Sequence, residues 1–377
     1  MFLLAGLVLA LGLFPAAVFA TSESLVPKNQ TIKNNHPLIY YHGRWDSSQG
    51  TWWPGSGFKV NVLNLKSLTL NLGPLTPSPF ASLGVSVGDS EFFPVNASAG
   101  SNTITIPSAA LKQSKLTPTT VRINAAGWQT YRLQFNSITL NSEAVLIPYI
   151  PSKTVFEFIG DSFTSGYLMP NGADQSWAFL VGEKYKAEHR IVAQAGAALT
   201  DIYSYGNVHG MSFQFFKTED TSFYYTTDHN YTTDWNFVRD QPKATHVIIH
   251  IGANDNAQGV TNDQFVQEYS DFLVKIRKLY PYQPLFLFTP WGWPNSDGNV
   301  YYYYDGQYQR VLDARRVLRA DIFRNALGDK NVFLVNTTGW ITWEDVFPDS
   351  LHPTVAGQAK VANNFISWLE NRGFSPR

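Results

Sequence analysis

Apolar and polar residues alternate along the chain from about residue 58 to residue 140. The alternation is clearest in the segments 58–62, 68–72, 103–106, 121–123 and 131–135. A period of two residues is typical of antiparallel strands with one buried face. Clusters of glycine, proline, serine and asparagine separate these runs, and no convincing helical period appears between them. We therefore predict an all-β sandwich domain over residues 21–150.

Beyond Pro151 the apolar residues are arranged differently. Nearly continuous apolar runs at 154–159, 247–251, 285–288 and 332–335 are typical of strands buried on both faces, and a further strand is expected at 190–193. Helical segments lie between them, including 261–280, which starts with a capping-box pattern at Thr261 and Gln264. This alternation predicts a parallel sheet covered on both faces over residues 151–377, with the ligand site beyond the carboxyl ends of the strands.

Residues 204–236 interrupt the alternation of strands and helices. This stretch is rich in aromatic residues and threonine and has no sustained period. Long loops in compact domains often serve binding or catalysis, so an insertion near the ligand site is one interpretation. A structural flap that covers core surface is the other.

Residues 1–20 have the pattern of a secretory signal peptide. An apolar run at 2–14 is followed by Pro15 and by small residues that end at Ala20. No Lys or Arg precedes the apolar run, so an uncleaved membrane anchor is the alternative. We expect a secreted, extracellular protein without membrane attachment after cleavage. Four N-glycosylation sequons agree with that route if the host is eukaryotic: Asn29, Asn96, Asn230 and Asn336.

Charge and cysteine content narrow the chemistry. The chain has 28 Lys plus Arg against 29 Asp plus Glu, a net charge of -1, which argues against a basic nucleic-acid-binding protein. Cysteine is absent, so disulfides, thiolate metal sites and a cysteine nucleophile are excluded. Catalysis by this chain therefore depends on oxygen and nitrogen side chains.

Ser162 follows the first buried strand in the segment Gly160-Asp161-Ser162. A serine at a turn after a parallel strand lies at the carboxyl edge of the sheet, where its hydroxyl can be exposed beside backbone N–H groups. This placement suits a nucleophile. The tripeptide alone is weak evidence, since Gly88-Asp89-Ser90 repeats it among the alternating strands, where a turn is expected.

His352 is the best candidate for the base that a serine nucleophile needs. It lies in Asp349-Ser350-Leu351-His352, just before a helical segment at 354–370. Asp349, three residues earlier, can accept from the imidazole Nδ1–H and leave Nε2 to take the serine proton.

Two further residues are candidates for an oxyanion hole, and two histidines are not candidates for a metal site. Asn254 follows the strand at 247–251, and Gly196 follows the strand at 190–193, so both lie at the same sheet edge. His246 and His250 are four residues apart, but in a strand that spacing exceeds about 12 Å, too far to bind one ion. No catalytic metal and no cofactor are expected.

Together, Ser162, Gly196, Asn254 and the pair of Asp349 and His352 resemble the SGNH, or GDSL-type, serine hydrolase superfamily in order and spacing over about 200 residues. Phe163 replaces the leucine of the motif at a packing position. The resemblance implies a flavodoxin-like three-layer α/β/α domain. It also implies Ser162 as nucleophile, His352 as base, Asp349 as the group that orients it, and an oxyanion hole formed by the Ser162 and Gly196 amides with the Asn254 side chain.

The N-terminal part of the chain points to a more specific group within this superfamily. A jelly-roll-like sandwich before such a domain, with the segments 43–45 and 53–58 near its start, is similar to the two-domain carbohydrate esterases of family 2, which remove acetyl groups from xylan and related glycans. Trp291 and Trp293 follow the strand at 285–288 and are candidate sugar contacts, and Asp161 beside the serine is another. Aromatic loops can also be packing surface.

The leading hypothesis is a secreted serine esterase that hydrolyses O-acetyl esters of polysaccharides such as xylan or glucomannan through an acyl-enzyme on Ser162. A lipid or phospholipid esterase is the alternative enzyme, with the aromatic insertion as its acyl pocket. A catalytically inactive glycan-binding protein is the alternative of a different class.

Overall fold

Two antiparallel sheets form the front of the molecule in this computed structural model, which describes residues 29–111, 117–127, 132–219, 233–289, 293–294, 301–302, 329–346 and 349–374. Strands are numbered in chain order. The first sheet has the order β1 (Gln30–Lys33), β10 (Leu133–Leu140), β5 (Leu68–Leu72), β8 (Gly100–Ile104), with β3 (Gly50–Thr51) also on β10. The second has the order β11 (Val145–Ile147), β4 (Gly57–Leu63), β9 (Thr119–Ala125), β6 (Ala81–Val87), β7 (Phe93–Ala97), with β2 (Tyr40–His42) on β4.

The apolar positions of the period-two runs meet between these sheets. Phe58 of β4 and Phe135 of β10 stack with ring centroids 4.2 Å apart, and both are fully buried. The predicted sandwich is thus confirmed. The structure differs from the prediction at one place. A single helical turn, α1 (Ser108–Leu111), follows Pro107, where the sequence indicated no helix. Four residues are too few to show a helical period.

A five-stranded parallel sheet forms the second part of the fold. Its order is β13 (Glu188–Ala193), β12 (Val155–Gly160), β14 (His246–His250), β15 (Leu285–Phe288), β18 (Val332–Val335). Starting from β12 as the first strand, this is the order 2-1-3-4-5 of a flavodoxin-like sheet, which confirms the predicted fold class. A two-stranded ribbon, β16 (Trp293–Pro294) and β17 (Tyr301–Tyr302), follows β15.

Helices cover both faces of this sheet. Those in the described residues are α2 (Ser162–Ser165), α3 (Trp177–Lys184), α4 (Met211–Gln214), α5 (Ala253–Ala257), α6 (Asn262–Leu279) and α7 (Val355–Asn371), with 3-10 turns at Gly172–Gln175, Phe237–Arg239 and Trp343–Val346. Helices α4 and α6 pack on one face of the sheet, and α3 and α7 pack on the other. The capping box at the start of α6 is present, with Gln264 N donating to Thr261 Oγ1 at 3.3 Å. In the described part of the chain, every helix is too short or too polar to cross a membrane.

Two ion pairs, one buried and one half-buried, join the sandwich to the second part of the fold. Lys59 of β4 contacts Glu188, the first residue of β13, at 2.6 Å, and both side chains are almost completely buried. Arg122 of β9 binds Glu183 of α3 through two hydrogen bonds of 2.9 and 2.7 Å. The segment 148–154 between β11 and β12 has no regular element, and the predicted boundary at residue 150 lies within it.

The described parts of the 204–236 stretch, 204–219 and 233–236, also pack on the sandwich. The buried guanidinium of Arg44 donates to the Lys217 carbonyl at 2.8 Å and lies over the ring of Phe215. The indole N–H of Trp53 donates to the Thr218 carbonyl at 2.8 Å. Within its described parts, the residues 215–218 are therefore core surface between the two parts of the fold, while Tyr205 reaches the site described next.

Candidate active site

The loops that follow β12, β13 and β14 and the turn before α7 meet at the carboxyl edge of the parallel sheet. They enclose a cleft of about 350 Å³. The residues that line it are Ser162, Phe163, Tyr167, Ala195, Gly196, Tyr205, Ala253, Asn254, Ala257, Leu351 and His352. The cleft therefore lies where a doubly wound sheet places its ligand site.

Ser162 is the first residue of α2 and follows β12 after one residue. Asp161 caps the helix by accepting a hydrogen bond from Phe163 N at 3.1 Å. This cap fixes the turn, so the Ser162 side chain lies at the base of the cleft with 6 % of the residue exposed.

His352 connects Ser162 to Asp349. The Nε2 atom of His352 lies 2.8 Å from Ser162 Oγ, and its Nδ1 atom lies 2.6 Å from Asp349 Oδ2. A carboxylate accepts only, so Nδ1 carries the proton and Nε2 is free to accept from the serine hydroxyl. The other carboxylate oxygen, Asp349 Oδ1, accepts from the backbone N–H groups of Leu351 (3.0 Å) and His352 (2.8 Å).

The environment sets the charges of this pair. Burial lowers the pKa of His352, and the hydrogen bond and charge of Asp349 offset only part of that effect. Burial acts to raise the pKa of Asp349, but the hydrogen bonds from His352 and Leu351 outweigh it, and the pKa stays below its usual value. At neutral pH the imidazole is therefore neutral and the carboxylate is charged, as a general base and its orienting group require.

Gly196 and Asn254 lie beside Ser162 in the same cleft. Gly196 has a φ of +77°, and a methyl group on it would come within 2.6 Å of Tyr205 Cβ, so only glycine fits here. The Asn254 side chain donates one amide hydrogen to the Ala197 carbonyl at 2.9 Å. That bond fixes the amide plane and leaves the second N–H of the amide available to a ligand.

Asp255 supports the loop of Gly196, and sequence reasoning did not identify it. It is 1 % exposed, and its two carboxylate oxygens accept from Leu199 N at 2.7 Å and Thr200 N at 2.9 Å. The loop after β13, which carries Gly196, is thereby tied to the helix that carries Asn254. The only signal in the sequence is an acidic residue next to Asn254, and its partners are more than 50 positions away.

The residues predicted to contact substrate, and the second Gly-Asp-Ser tripeptide, are not found among the described residues that line the cleft. Asp161 was expected to contact substrate, but the structure does not support this, because the residue is only 1 % exposed and its carboxyl caps α2. Trp291 lies outside the described residues, and for Trp293 only the backbone in β16 is described. Asp89 lies in the turn between β6 and β7 and is not among the residues that line the cleft.

Most of the predicted glycosylation sites lie on the surface of the described residues, and one of the two histidines considered for a metal site is buried beside the serine turn. Asn29, Asn96 and Asn336 are exposed, and Asn230 lies outside the described residues. His250 is buried and stacks on Phe163, so it supports the serine turn. Within the described residues, no group of three or more metal-binding side chains is placed around one point.

Comparison with known proteins gives a family and a fold. The family model described as "GDSL-like Lipase/Acylhydrolase family" matches residues 158–360, more than half of the chain. No curated protein matches the sequence. Many solved structures match the fold, and the similarity extends over the sandwich as well as the parallel sheet.

Three of these structures show which kinds of protein share the fold. A family two carbohydrate esterase from Cellvibrio japonicus has a TM-score of 0.70 at 16% identity and covers 91% of this chain and 98% of its own. An acetyl xylan esterase from the rumen bacterium Butyrivibrio proteoclasticus has a TM-score of 0.67 at 17% identity, with coverages of 91% and 99%. A salicylyl-acyltransferase from a tetracycline biosynthetic pathway has a TM-score of 0.64 at 16% identity, with coverages of 92% and 99%. At these identities the likeness establishes a shared two-part fold.

Proposed function

The chain belongs to the GDSL-like lipase/acylhydrolase family and is a carboxylic ester hydrolase of the SGNH type; on that premise we propose that it is a secreted serine esterase that removes acetyl groups from polysaccharides such as xylan or glucomannan. The observation that carries this proposal is the continuous contact from Asp349 through His352 to Ser162 at the base of a cleft that also holds Gly196 and Asn254.

The first half of the proposed reaction forms an acyl-enzyme. Ser162 Oγ attacks the ester carbonyl carbon while His352 Nε2 takes the hydroxyl proton. The negative charge that develops on the carbonyl oxygen is stabilised by the backbone N–H groups of Ser162 and Gly196 and by the side-chain amide of Asn254. The C–O bond to the sugar then breaks, and the imidazolium returns its proton to the sugar oxygen.

The second half regenerates the enzyme. Water donates a proton to His352 Nε2 and attacks the acyl carbon, the same donors stabilise the second oxyanion, and Ser162 leaves with the proton from the imidazolium. Acetate is the product. Asp349 stays ionised throughout and stabilises the positive charge that the imidazole carries in each half.

The cleft favours a short acyl group. Its lining includes three small residues that are close in sequence to Gly196 and Asn254, namely Ala195, Ala253 and Ala257, and the whole cleft has a volume of about 350 Å³. A polysaccharide substrate is supported by the shared two-part fold, since one of the compared structures is named a carbohydrate esterase and another an acetyl xylan esterase. A net charge of -1 is compatible with a neutral polymer.

A lipid ester is the second candidate. The observation that favours it is the presence of three larger apolar or aromatic side chains in the cleft lining, Phe163, Tyr167 and Leu351, against which a longer acyl chain would pack. Secretion belongs to the proposal as well and rests on the pattern of residues 1–20 and on the exposure of Asn29, Asn96 and Asn336.

The test is acetate release from acetylated xylan, glucomannan and pectin, together with the rates on 4-nitrophenyl esters of acetate and of a long-chain acid. We expect acetate from at least one polysaccharide and a clear preference for the acetyl ester. A preference for the long-chain ester, with no acetate from any polysaccharide, would replace the carbohydrate proposal with the lipid one. Failure to react with an organophosphonate serine probe would indicate a binding protein.

A further inference from the structure

The loop between α2 and α3 contacts both the active-site histidine and the sandwich. We call residues 166–176 the Tyr167 loop. At one end, the ring of Tyr167 lies against the imidazole of His352, with centroids 4.6 Å apart and planes at 57°. Tyr167 N donates to Ser162 O at 3.4 Å, so this end of the loop also borders the serine turn.

The other end of the Tyr167 loop rests on the end of β9 in the sandwich. Ala173 N donates to the carbonyl of Ala126 at 2.8 Å. Gly172 has a φ of +57°, and any side chain on it would overlap that same carbonyl group. The backbone of the loop is therefore seated directly on the backbone of the sandwich, without space for an intervening side chain.

A buried hydrogen bond between the side chains of Asn124 and Asp174 strengthens this contact between the loop and the sandwich. Asn124 of β9 donates from Nδ2 to Asp174 Oδ1 at 3.2 Å, and its Oδ1 accepts from His42 Nε2 at 3.0 Å. Asp174 is 7 % exposed and packs so closely on Gly84 of β6 that a methyl group there would overlap its carboxyl. Two strands of the sandwich thus hold one side chain of the loop.

The two ends of the loop touch each other. A methyl group on Gly166 would lie 2.5 Å from the carbonyl oxygen of Gly172. In addition, Met169 N donates to Gly166 O at 3.1 Å, and Gly172 N donates to Met169 O at 2.9 Å. Packed backbone of this kind transmits a displacement because it has no room to absorb it. A shift of Gly172 on the sandwich therefore moves Gly166 and the adjacent Tyr167.

We propose that the sandwich takes part in the reaction through this contact, with Asn124 and Asp174 as positioning residues that hold the Tyr167 loop, and with it the ring of Tyr167, against His352. The effect on turnover rests on the proposed function; the effect on His352 itself does not. On this proposal the sandwich is a support of the active site, and neither positioning residue touches substrate.

The experiment measures the titration of His352 and the kinetics in the same set of variants. Histidine labelled with ¹³C at Cε1 gives an NMR signal for His352, assigned by its loss in His352→Gln. The test variants are Asn124→Ala, Asp174→Ala and the conservative Asp174→Asn, which keeps an oxygen that can accept from Asn124. Lys59→Met is the matched control. It breaks the buried ion pair with Glu188, which also joins the two parts of the fold but lies at the start of β13, away from the carboxyl edge that carries the active site.

We expect the pKa of His352 to rise toward its ordinary value in Asn124→Ala and Asp174→Ala, because a displaced Tyr167 exposes the imidazole to water. We also expect kcat to fall about 5- to 20-fold with KM changed by less than about twofold, since a misplaced base slows the chemical step more than it weakens binding. Asp174→Asn should restore most of both properties. Lys59→Met should lower the melting temperature and leave both unchanged.

A double-mutant cycle tests whether the effect of the sandwich on His352 passes through Tyr167. If the sandwich acts through Tyr167, the double variant with Asn124→Ala and Tyr167→Leu should be little worse than the more severe single variant. An additive loss, a wild-type titration of His352 in Asn124→Ala, or the same shift in Lys59→Met would each overturn the proposal. If the wild-type protein hydrolyses no ester, the proposed function fails, and the titration still decides this inference.

Discussion

Replacing Asp349 by asparagine should harm turnover more than replacing it by alanine. The Asp349 carboxylate makes two kinds of contact, one to the imidazole Nδ1–H at 2.6 Å and one to the backbone amides of Leu351 and His352. Asparagine keeps an oxygen for the two amides but places an N–H group against Nδ1. The imidazole then accepts at Nδ1 and carries its proton on Nε2, where it cannot take the proton of Ser162.

The size of the loss follows from these contacts. A hydrogen bond to a charged group contributes about 1.5–3 kcal/mol, and a tenfold change in rate corresponds to about 1.4 kcal/mol. Because the Asp349 side chain is 31 % exposed, solvent weakens the contact, and we expect a loss of about 10- to 30-fold for Asp349→Ala. The wrong tautomer in Asp349→Asn should give a loss of about 10³-fold or more.

The assay is the pH dependence of kcat/KM on a short-chain ester. Asp349 raises the pKa of His352, so its removal should lower that pKa further. His352 acts in its neutral form, and a lower pKa keeps it neutral in more acidic solution. The acid limb of the profile should therefore move to lower pH in Asp349→Ala while the plateau falls.

The control is Glu344→Gln, which removes one negative charge from an exposed position five residues earlier. It should leave the plateau and the acid limb unchanged. A wild-type rate and acid limb in Asp349→Ala would show that another group orients His352. An Asp349→Asn variant that is more active than Asp349→Ala would refute the tautomer argument.

Three further predictions concern the supports of the site. Asp255→Ala leaves one buried and one partly buried amide of the Gly196 loop without an acceptor, so we expect the free energy of unfolding to fall by about 2–4 kcal/mol and kcat to fall with it. Urea unfolding and turnover check this, and an unchanged kcat would contradict it. Gly196→Ala forces a side chain into a left-handed position against Tyr205, and kcat should drop about 10²-fold on acetyl esters, whereas a rate within about twofold of wild type would argue against an oxyanion role. Burial raises the pKa of Asp174 to about 7, with Glu183 adding to the rise and Asn124 and Arg122 opposing it. The unfolded carboxyl loses its proton near pH 3.8 and the folded one near pH 7, so wild-type stability relative to Asp174→Asn should fall by up to about 4 kcal/mol between these values, and a pH-independent difference would contradict the burial argument.

Local patterns predicted the parts of the fold that depend on local chemistry. The capping box at Thr261 and the buried strand before Ser162 were both predicted from short segments, and both are present. The candidate site was predictable in the same way, because Asp349 and His352 are three residues apart and the carboxyl ends of parallel strands meet at one edge. The structure then placed Ser162, Gly196 and Asn254 in the same cleft.

Features that depend on distant partners were not predictable. Strand β13 was expected at 190–193 but begins at Glu188, and its first three residues are the polar Glu188, His189 and Arg190. They are buried, since Lys59 pairs with Glu188 and Glu157 pairs with Arg190 at 2.7 Å. The support of the Gly196 loop by Asp255 and the seat of the Tyr167 loop on the sandwich likewise join residues that are far apart in sequence.

The proposed acyl-enzyme is tested most directly by mass spectrometry of the protein quenched in acid during turnover of an acetyl ester. We predict a mass increase of one acetyl group, located on the peptide that contains Ser162 and absent from Ser162→Ala, which should also release no acetate from acetylated polysaccharide. An acetyl group on any other residue, or full turnover by Ser162→Ala, would contradict the account.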